Sequence, residues 1–235
     1  MTSLSPMCAG LRLSPQRALR PRTWRTLFDM RQRFPDCWAW LYASEQIGGW
    51  LTRDESAALF RLARDKTPYR NPVVVELGSF KGKSSVMLAG GLCCKHAPRL
   101  YCVDVFGPSS DPSYDSWLKA AVECDPVPVA EQFRHNTRVC GVGGFVTAVK
   151  GYSWDVARTW TQPINMLFID ANHEYEAVVR DVESWSPFLV RGGVILFHDV
   201  NDNWPGTKRA FEERIVGPKY SAANQVDSLA WSVKL

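Results

Sequence analysis

The chain has 235 residues, 46% of them apolar and 22% charged, and a net charge of +4. That length and ordinary composition suit one globular α/β domain with a sizeable core. No run approaches the roughly 18 apolar residues of a membrane helix, so a membrane partner is not expected.

The charge is unevenly spread. Residues 1–35 carry seven Arg against the single acid Asp29, which makes this segment +6 and leaves −2 for the rest. A basic tail of this kind suits nucleic acid, an acidic surface or an organellar address, but most often is a poorly ordered terminus. We take 1–35 as a basic, flexible segment and do not expect a nucleic-acid partner. Residues 36–51 are aromatic-rich and end in Gly48-Gly49. Thr52-Arg53-Asp54-Glu55 has the form of a capping box, which starts a helix running to about Ala63. Residues 36–66 are therefore expected to form a helical lid, and 67–235 the main domain.

From there strands and helices alternate. Strands are expected at 72–76, 100–104, 145–149, 164–170 and 193–198. Helices are expected at 83–94, 154–159, 174–188 and 207–214, with a helix-prone stretch at 113–139 broken by Pro126 and Pro128. Residues 225–235 form a strand or hairpin arm. Short Val/Ile/Leu runs between helices indicate βαβ units and a parallel sheet covered on both faces. Ligands of such sheets lie outside the carboxyl ends of the strands. Six residues stand there: Glu76, Asp104, Lys150, Asp170, His198 and Asp199. The seven Cys include no CxxC pair, which argues against a disulfide framework or zinc knuckle and for a reducing cytoplasm.

The loop Gly78-Ser-Phe-Lys-Gly82-Lys-Ser84 resembles a phosphate-binding P-loop but is one residue short. A triphosphate there would also meet strand-end carboxylates, each like-charge pair at 4 Å costing about 4 kcal/mol at a surface-like dielectric. A dinucleotide would need a further glycine for its pyrophosphate. A nucleoside with a cationic amino-acid tail fits better. Asp104, 22 residues past Gly82, is placed to take two ribose hydroxyls. S-adenosylmethionine combines a sulfonium, an α-ammonium and a ribose.

Four stretches carry a family resemblance: ELGSFKGKS (76–84), VDVF (103–106), FIDANHEY (168–175) and GGVILFHD (192–199). They resemble class I S-adenosylmethionine-dependent methyltransferases, nearest to the macrocin-type branch of natural-product and sugar O-methyltransferases. The resemblance covers about residues 45–215. It implies a Rossmann-like, doubly wound, mostly parallel seven-stranded sheet with a reversed final strand, and a homodimer. It also implies that Glu76, Gly78, Ser79 and Gly82 shape the methionine pocket. Ser84 would bind the carboxylate at a helix N-terminus; Asp104 would hold the ribose. Phe106, Ser153 and Trp154 would meet the adenine, and Asp170 would border the cofactor. Helix capping by Ser84, and core packing by Phe106 and Trp154, are the competing readings.

Methyl transfer to an alcohol needs alignment, exclusion of water and a group to take the proton. Asp170, His173, His198 and Asp199 are the candidates. Magnesium on Asp170 and Asp199 is the alternative, weakened because His198 stands where some relatives place a second acid. Tyr42, Trp50, Tyr175, Trp204 and Lys208 are candidates for the small-molecule acceptor, and Lys208 with Arg209 would favour an acidic one. The rival functions are a SAM- or nucleoside-binding protein without methyl transfer, and a nicotinamide-dependent oxidoreductase.

Overall fold

The computed structural model describes residues 21–109, 122–215 and 217–235. Seven strands form one sheet: β1 (Val73–Leu77), β2 (Arg99–Asp104), β3 (Val146–Lys150), β4 (Ile164–Ile169), β5 (Leu189–Phe197), β6 (Asn224–Val226) and β7 (Leu229–Val233). Their order is β3-β2-β1-β4-β5-β7-β6. Strands β1 to β5 are parallel, and β7 runs antiparallel to both β5 and β6. The seven-stranded, doubly wound sheet with a reversed final strand is the architecture expected.

Eight α-helices whose bounds lie among the described residues accompany the sheet: α1 (Pro21–Arg33), α2 (Trp38–Ser44), α3 (Arg53–Lys66), α4 (Lys83–Leu92), α5 (Val129–Val139), α6 (Ser153–Ala157), α7 (Tyr175–Trp185) and α8 (Pro205–Arg214). Alternate strand residues point to opposite faces, so two apolar layers form. Val74, Cys102, Phe168 and Leu196 pack on the side of α2, α3, α4 and α5. Val75, Val103, Leu167 and Ile195 pack on the side of α6, α7 and α8. Each fully buried Val, Leu, Ile or Phe contributes roughly 1.5–3 kcal/mol. β1 is buried along its whole length, as a strand covered on both faces must be.

The N-terminal region is more built than its composition suggested. Residues 1–20 lie outside the described set, but 21–33 are helical and Met30 and Phe34 enter the core. Asp36 then accepts hydrogen bonds from both Arg61 and Arg64, which fastens the segment after α1 to α3. The capping box forms as expected: the Glu55 backbone N–H donates to Thr52 Oγ1 at 3.2 Å, and the Thr52 backbone N–H donates to Glu55 Oε2 at 2.8 Å. Helix α3 belongs to the core layer. A Cβ on Gly91 of α4 would lie 2.2 Å from the Phe60 carbonyl oxygen, so the two helices touch backbone to backbone. Residues 48–51, between α2 and α3, line a cavity together with the strand ends. The helix-prone stretch 113–139 yields α5; residues 110–121 lie outside the described set.

Register decides where the chemistry sits. Leu77 pairs with Val103 and Ile169, Ile169 with Phe197, and Asp104 with Lys150. The carboxyl ends of β1 to β5 therefore share one edge, and the chain crosses over between β3 and β4 around β1, the switch point of the sheet. Among the described residues, no helix is long and apolar enough to cross a membrane.

Candidate active site

The strand ends and residues 48–51 enclose a cavity of about 510 Å³, within the usual range for small-molecule pockets of roughly 300–1,000 Å³. Gly78 follows β1 with φ 83°, and a Cβ there would lie 2.1 Å from the Asp170 carbonyl oxygen. Only glycine lets the two strand ends approach so closely. Gly82 takes φ 91° as the N-cap of α4. It does not line the cavity, whereas Gly78, Ser79 and Ser84 do. Ser84 lies in the first turn of α4, past the capping position, so it is not the helix cap.

Glu76 does not line the cavity. Its side chain is wholly buried beneath the loop. It accepts a hydrogen bond from Ser79 Oγ at 2.7 Å and another from Ser85 Oγ. Burial pushes its carboxyl up, with the serine hydroxyls working against that. Its Oε1 finds no partner among the described residues. The physical reason is parity: Glu76 points to the same face as Val74, under α4, and ties the glycine loop to that helix.

Asp104 lines the cavity and also organises the loop. Its Oδ2 accepts the backbone N–H groups of Ser79 (2.9 Å) and Phe80 (2.8 Å), and its Oδ1 accepts that of Phe106 (2.6 Å). Burial raises its carboxyl pKa, and these three bonds oppose the rise. A carboxylate offers about four acceptor positions, so capacity for a ligand hydroxyl remains. Phe106 is a correction. It has φ 49°, is 5% exposed and packs on Phe133 with ring centroids 5.0 Å apart. Its ring is turned into the core and is not part of the cavity wall.

Beyond β3, Ser153 and Trp154 line the cavity as expected. Tyr152 stacks on Trp154 at 4.6 Å and 15°, and the Arg180 guanidinium stands 3.4 Å from the Trp154 ring centroid. Ser153 Oγ donates to Asp181 Oδ1 of α7. Asp181 is 2% exposed yet reaches the cavity wall. Burial pushes its carboxyl up to about 7 against the pull of Ser153. Sequence reasoning missed it, although a signal was there: an acid breaking the apolar stripe of Val178, Val182 and Trp185.

At the ends of β4 and β5 lie Asp170, His173, His198 and Asp199, all on the cavity wall. His198 is 5% exposed and surrounded by acids. Its Nδ1 stands 3.2 Å from Asp170 Oδ1 and 3.0 Å from Asp199 Oδ2, and its Nε2 stands 3.3 Å from Glu55 Oε2. Burial would lower its pKa, but the carboxylates, Asp170 foremost, outweigh that and push it up to about 12. The three carboxylates favour the imidazolium form of His198, whose ring nitrogens face side chains and not the backbone. Glu55, the other missed residue, was legible as a capping group alone. Besides His198 it accepts the backbone N–H and hydroxyl of Ser228. These bonds hold it down to about 2 despite burial. Asp199, with φ 60°, is held below the usual carboxylate range by His173 and His198 although burial opposes this. His173 Nε2 lies 3.1 Å from Asp199 Oδ2, and its ring stacks on Trp204 at 4.0 Å.

Single ligand atoms of Asp170, His173 and Asp199 lie within 4.8 Å of one another. This donor set fits magnesium poorly. The His198 ring lies against both carboxylates, where an imidazolium would sit beside a dication, and the third donor is a nitrogen where magnesium prefers oxygen. No step is assigned to a metal.

Of the expected acceptor residues, Trp50 and Trp204 line the cavity. Tyr42 packs against the core. Tyr175 donates its hydroxyl to Glu213. Lys208 pairs with Asp202 at 2.6 Å and Arg209 with Glu213 at 2.8 Å. These cations are matched on the surface by neighbouring acids. Lys83 does line the cavity, its Nζ donating to the Gly49 carbonyl at 3.3 Å.

Residues 75–200 match the profile of a family described as "Methyltransferase domain". Rv0187 from MTB, solved with cofactor bound, is 21% identical with a TM-score of 0.62, covering 92% of this chain and 97% of that one. The O-methyltransferase from Bacillus cereus, solved in complex with SAH, is 18% identical with a TM-score of 0.58, covering 89% and 91%. At these identities the likeness is one of fold. Uncharacterized protein R132 of Acanthamoeba polyphaga mimivirus is 32% identical over 94 residues, 36% of this chain and 42% of that protein. The match thus spans less than half of that relative. Matched by the profile over more than half its length, the chain belongs to the methyltransferase-domain family.

Proposed function

We propose that the chain moves the methyl group of S-adenosylmethionine to a hydroxyl oxygen of a small, uncharged acceptor. One observation carries this reading. A single cavity runs from Asp104 and the glycine loop, suited to the nucleoside and its amino-acid tail, to the His173–Asp199 pair, suited to an alcohol proton. S-adenosylmethionine supplies an electrophilic methyl on a sulfonium. The acceptor oxygen forms the new O–C bond as the S–C bond breaks. The hydroxyl proton passes to the imidazole of His173, and Asp199 orients that ring and balances its charge. Asp104 takes the ribose hydroxyls, and Ser84 with the first turn of α4 takes the carboxylate. His198 holds Asp170 and Asp199 in place. Trp50 and Trp204 flank the acceptor and exclude water. Aromatic walls and an acid-rich floor favour a phenol or sugar hydroxyl over a carboxylate. The six described cysteines are free, which accords with a cytoplasmic site of action.

The test is release of S-adenosylhomocysteine from S-adenosylmethionine with panels of phenols, sugars and carboxylic acids, on wild type and His173→Ala. The reading expects turnover with hydroxyl acceptors, falling about 10²–10⁴-fold in the variant. Turnover with carboxylic acids alone, or turnover indifferent to His173, contradicts it. Cofactor binding without turnover on any panel favours a non-catalytic binding protein.

A further inference from the structure

The cavity occupies one edge of the sheet. The opposite edge, where the parallel strands begin, is built differently. Three segments lead into neighbouring strands: 64–72 into β1, 93–99 into β2, and 134–145, the end of α5 and its turn, into β3. Together they hold seven Lys or Arg (64, 66, 70, 95, 99, 134 and 138) and a single acid, Asp65. Residues 36–235 as a whole carry a net negative charge. The fold has therefore separated its charges, with acids at the cavity and cations on the far side.

Asp65 does not neutralise this surface, because Arg64 Nε donates to its Oδ1 at 2.8 Å. Lys95 donates to the Thr67 carbonyl at 2.9 Å. Arg70, Arg134 and Arg138 are exposed and have no acid partner among the described residues. Arg99, also exposed, donates to the neutral amide oxygen of Gln162 at 2.9 Å. The three segments are tied together: Arg70 and His96 form a parallel bridge, and the Leu100 N–H donates to the Phe145 carbonyl at 3.0 Å. Beside β3 the surface opens into a groove of about 680 Å³, lined by Arg134, Arg138 and the turn glycines 141, 143 and 144. A Cβ on Gly143 or Gly144 would meet nothing within 4 Å, so the groove is open there. Beside β1, next to Arg70, Tyr69 stands 62% exposed.

Strand order β3-β2-β1 sets Arg134 and Arg138, then Arg99, then Arg70 in a row. A guanidinium grips phosphate oxygens in pairs, so the row matches a chain of phosphates. The exposed tyrosine at its end offers a face on which a base can stack. A groove of small-molecule size admits one strand and not a duplex. We propose that this edge docks single-stranded nucleic acid, laid from the α5–β3 groove across the start of β2 to Tyr69. The strand is held by charge and stacking, on the side away from the cavity, and is not the methyl acceptor. The N-terminal arginines alone gave no reason to expect such a partner; the fold supplies a second, ordered basic surface.

The experiment is fluorescence anisotropy of a labelled single strand of about 20 nucleotides and mixed sequence. It is run with the full chain, with Arg134→Gln/Arg138→Gln, with Arg70→Gln/Arg99→Gln and with Tyr69→Ala. All five positions are exposed, so the substitutions leave the core intact. With four phosphates engaged, wild-type affinity should fall at least about fiftyfold between about 50 and 200 mM salt. Each double variant removes two contacts, so its fall should be smaller by about sevenfold. Tyr69→Ala leaves the charge alone and should weaken binding about fivefold or more at either salt. No binding at the lower salt overturns the proposal. Binding that both double variants leave unchanged also overturns it, since the arginines of residues 1–35 then carry it alone. Tighter binding of the matching duplex, of polyglutamate or of phosphatidylserine vesicles overturns it in favour of another partner.

Discussion

His198→Gln removes the positive charge from the acid cluster while keeping a polar side chain of similar reach. Three carboxylates face that charge: Glu55 at 3.3 Å, Asp170 at 3.2 Å and Asp199 at 3.0 Å. Glu55 is 1% exposed, and the side chains of Asp170 and Asp199 are 21% and 17% exposed, so solvent screens them little. Losing one partner of a buried ion pair costs about 3–5 kcal/mol, because the opposite charge remains without compensation. Asp199 keeps His173 and Glu55 keeps Ser228, which places the expected loss at the lower end, about 3 kcal/mol. For a chain of this size, 1 kcal/mol shifts Tm by roughly 2–4 °C, so a drop of about 6–12 °C should appear in a thermal melt at neutral pH. The double variant with Glu55→Gln should lose less than the sum of the two single losses, since the second change removes a charge that the first left stranded. A single variant within about 0.5 kcal/mol of wild type, or strictly additive losses, would refute the view of His198 as a cation among these acids.

Three further outcomes follow from the same geometry. Gly78→Ala forces a Cβ onto the Asp170 carbonyl oxygen at 2.1 Å from a backbone with φ 83°; a loss above about 4 kcal/mol in urea unfolding is expected, and a near-neutral result would mean the two strand ends do not touch. Asp104→Asn disturbs the acceptor of two loop N–H groups; S-adenosylhomocysteine affinity should fall about a hundredfold by calorimetry, and unchanged affinity would remove Asp104 from the site. The raised carboxyl of Asp181 has a stability consequence of definite sign. Its folded pKa of about 7 lies above the ordinary value of 3.8. The stability it contributes is complete below about pH 4 and is lost as pH rises through about 7. Asp181→Asn lacks this titration, so its melting temperature should gain on wild type between about pH 4 and 7; parallel pH profiles would contradict the burial assigned to Asp181.

The sheet and the cavity edge were legible because they rest on local pattern. Apolar runs ending in Glu76, Asp104, Asp170 and His198 fall at the ends of parallel strands, and β1, β2, β4 and β5 end within a residue of where the runs stop. What failed was direction. Glu76 shares its face with Val74 and turns under α4, so the period-2 rule, applied to side chains as well as to strands, would have withdrawn it from the ligand. Phe106 leaves the cavity through a left-handed backbone that no composition rule assigns to phenylalanine. The role of His198 depends on Glu55, 143 residues away, and a capping-box glutamate carries no mark of a second, tertiary duty. Lys208 and Arg209 were expected to favour an acidic acceptor, and Asp202 and Glu213 lie paired with them. Asp181 was the most recoverable omission, since an acid within an apolar helical stripe marks a buried polar group by its spacing alone.

The most direct test of the whole account is calorimetric titration of the intact chain with S-adenosylhomocysteine, run beside NAD and ATP. The account predicts binding of the homocysteine nucleoside at about micromolar Kd, near 8 kcal/mol of binding free energy, with no heat from the other two. No binding of S-adenosylhomocysteine, or binding of NAD or ATP in its place, would contradict it.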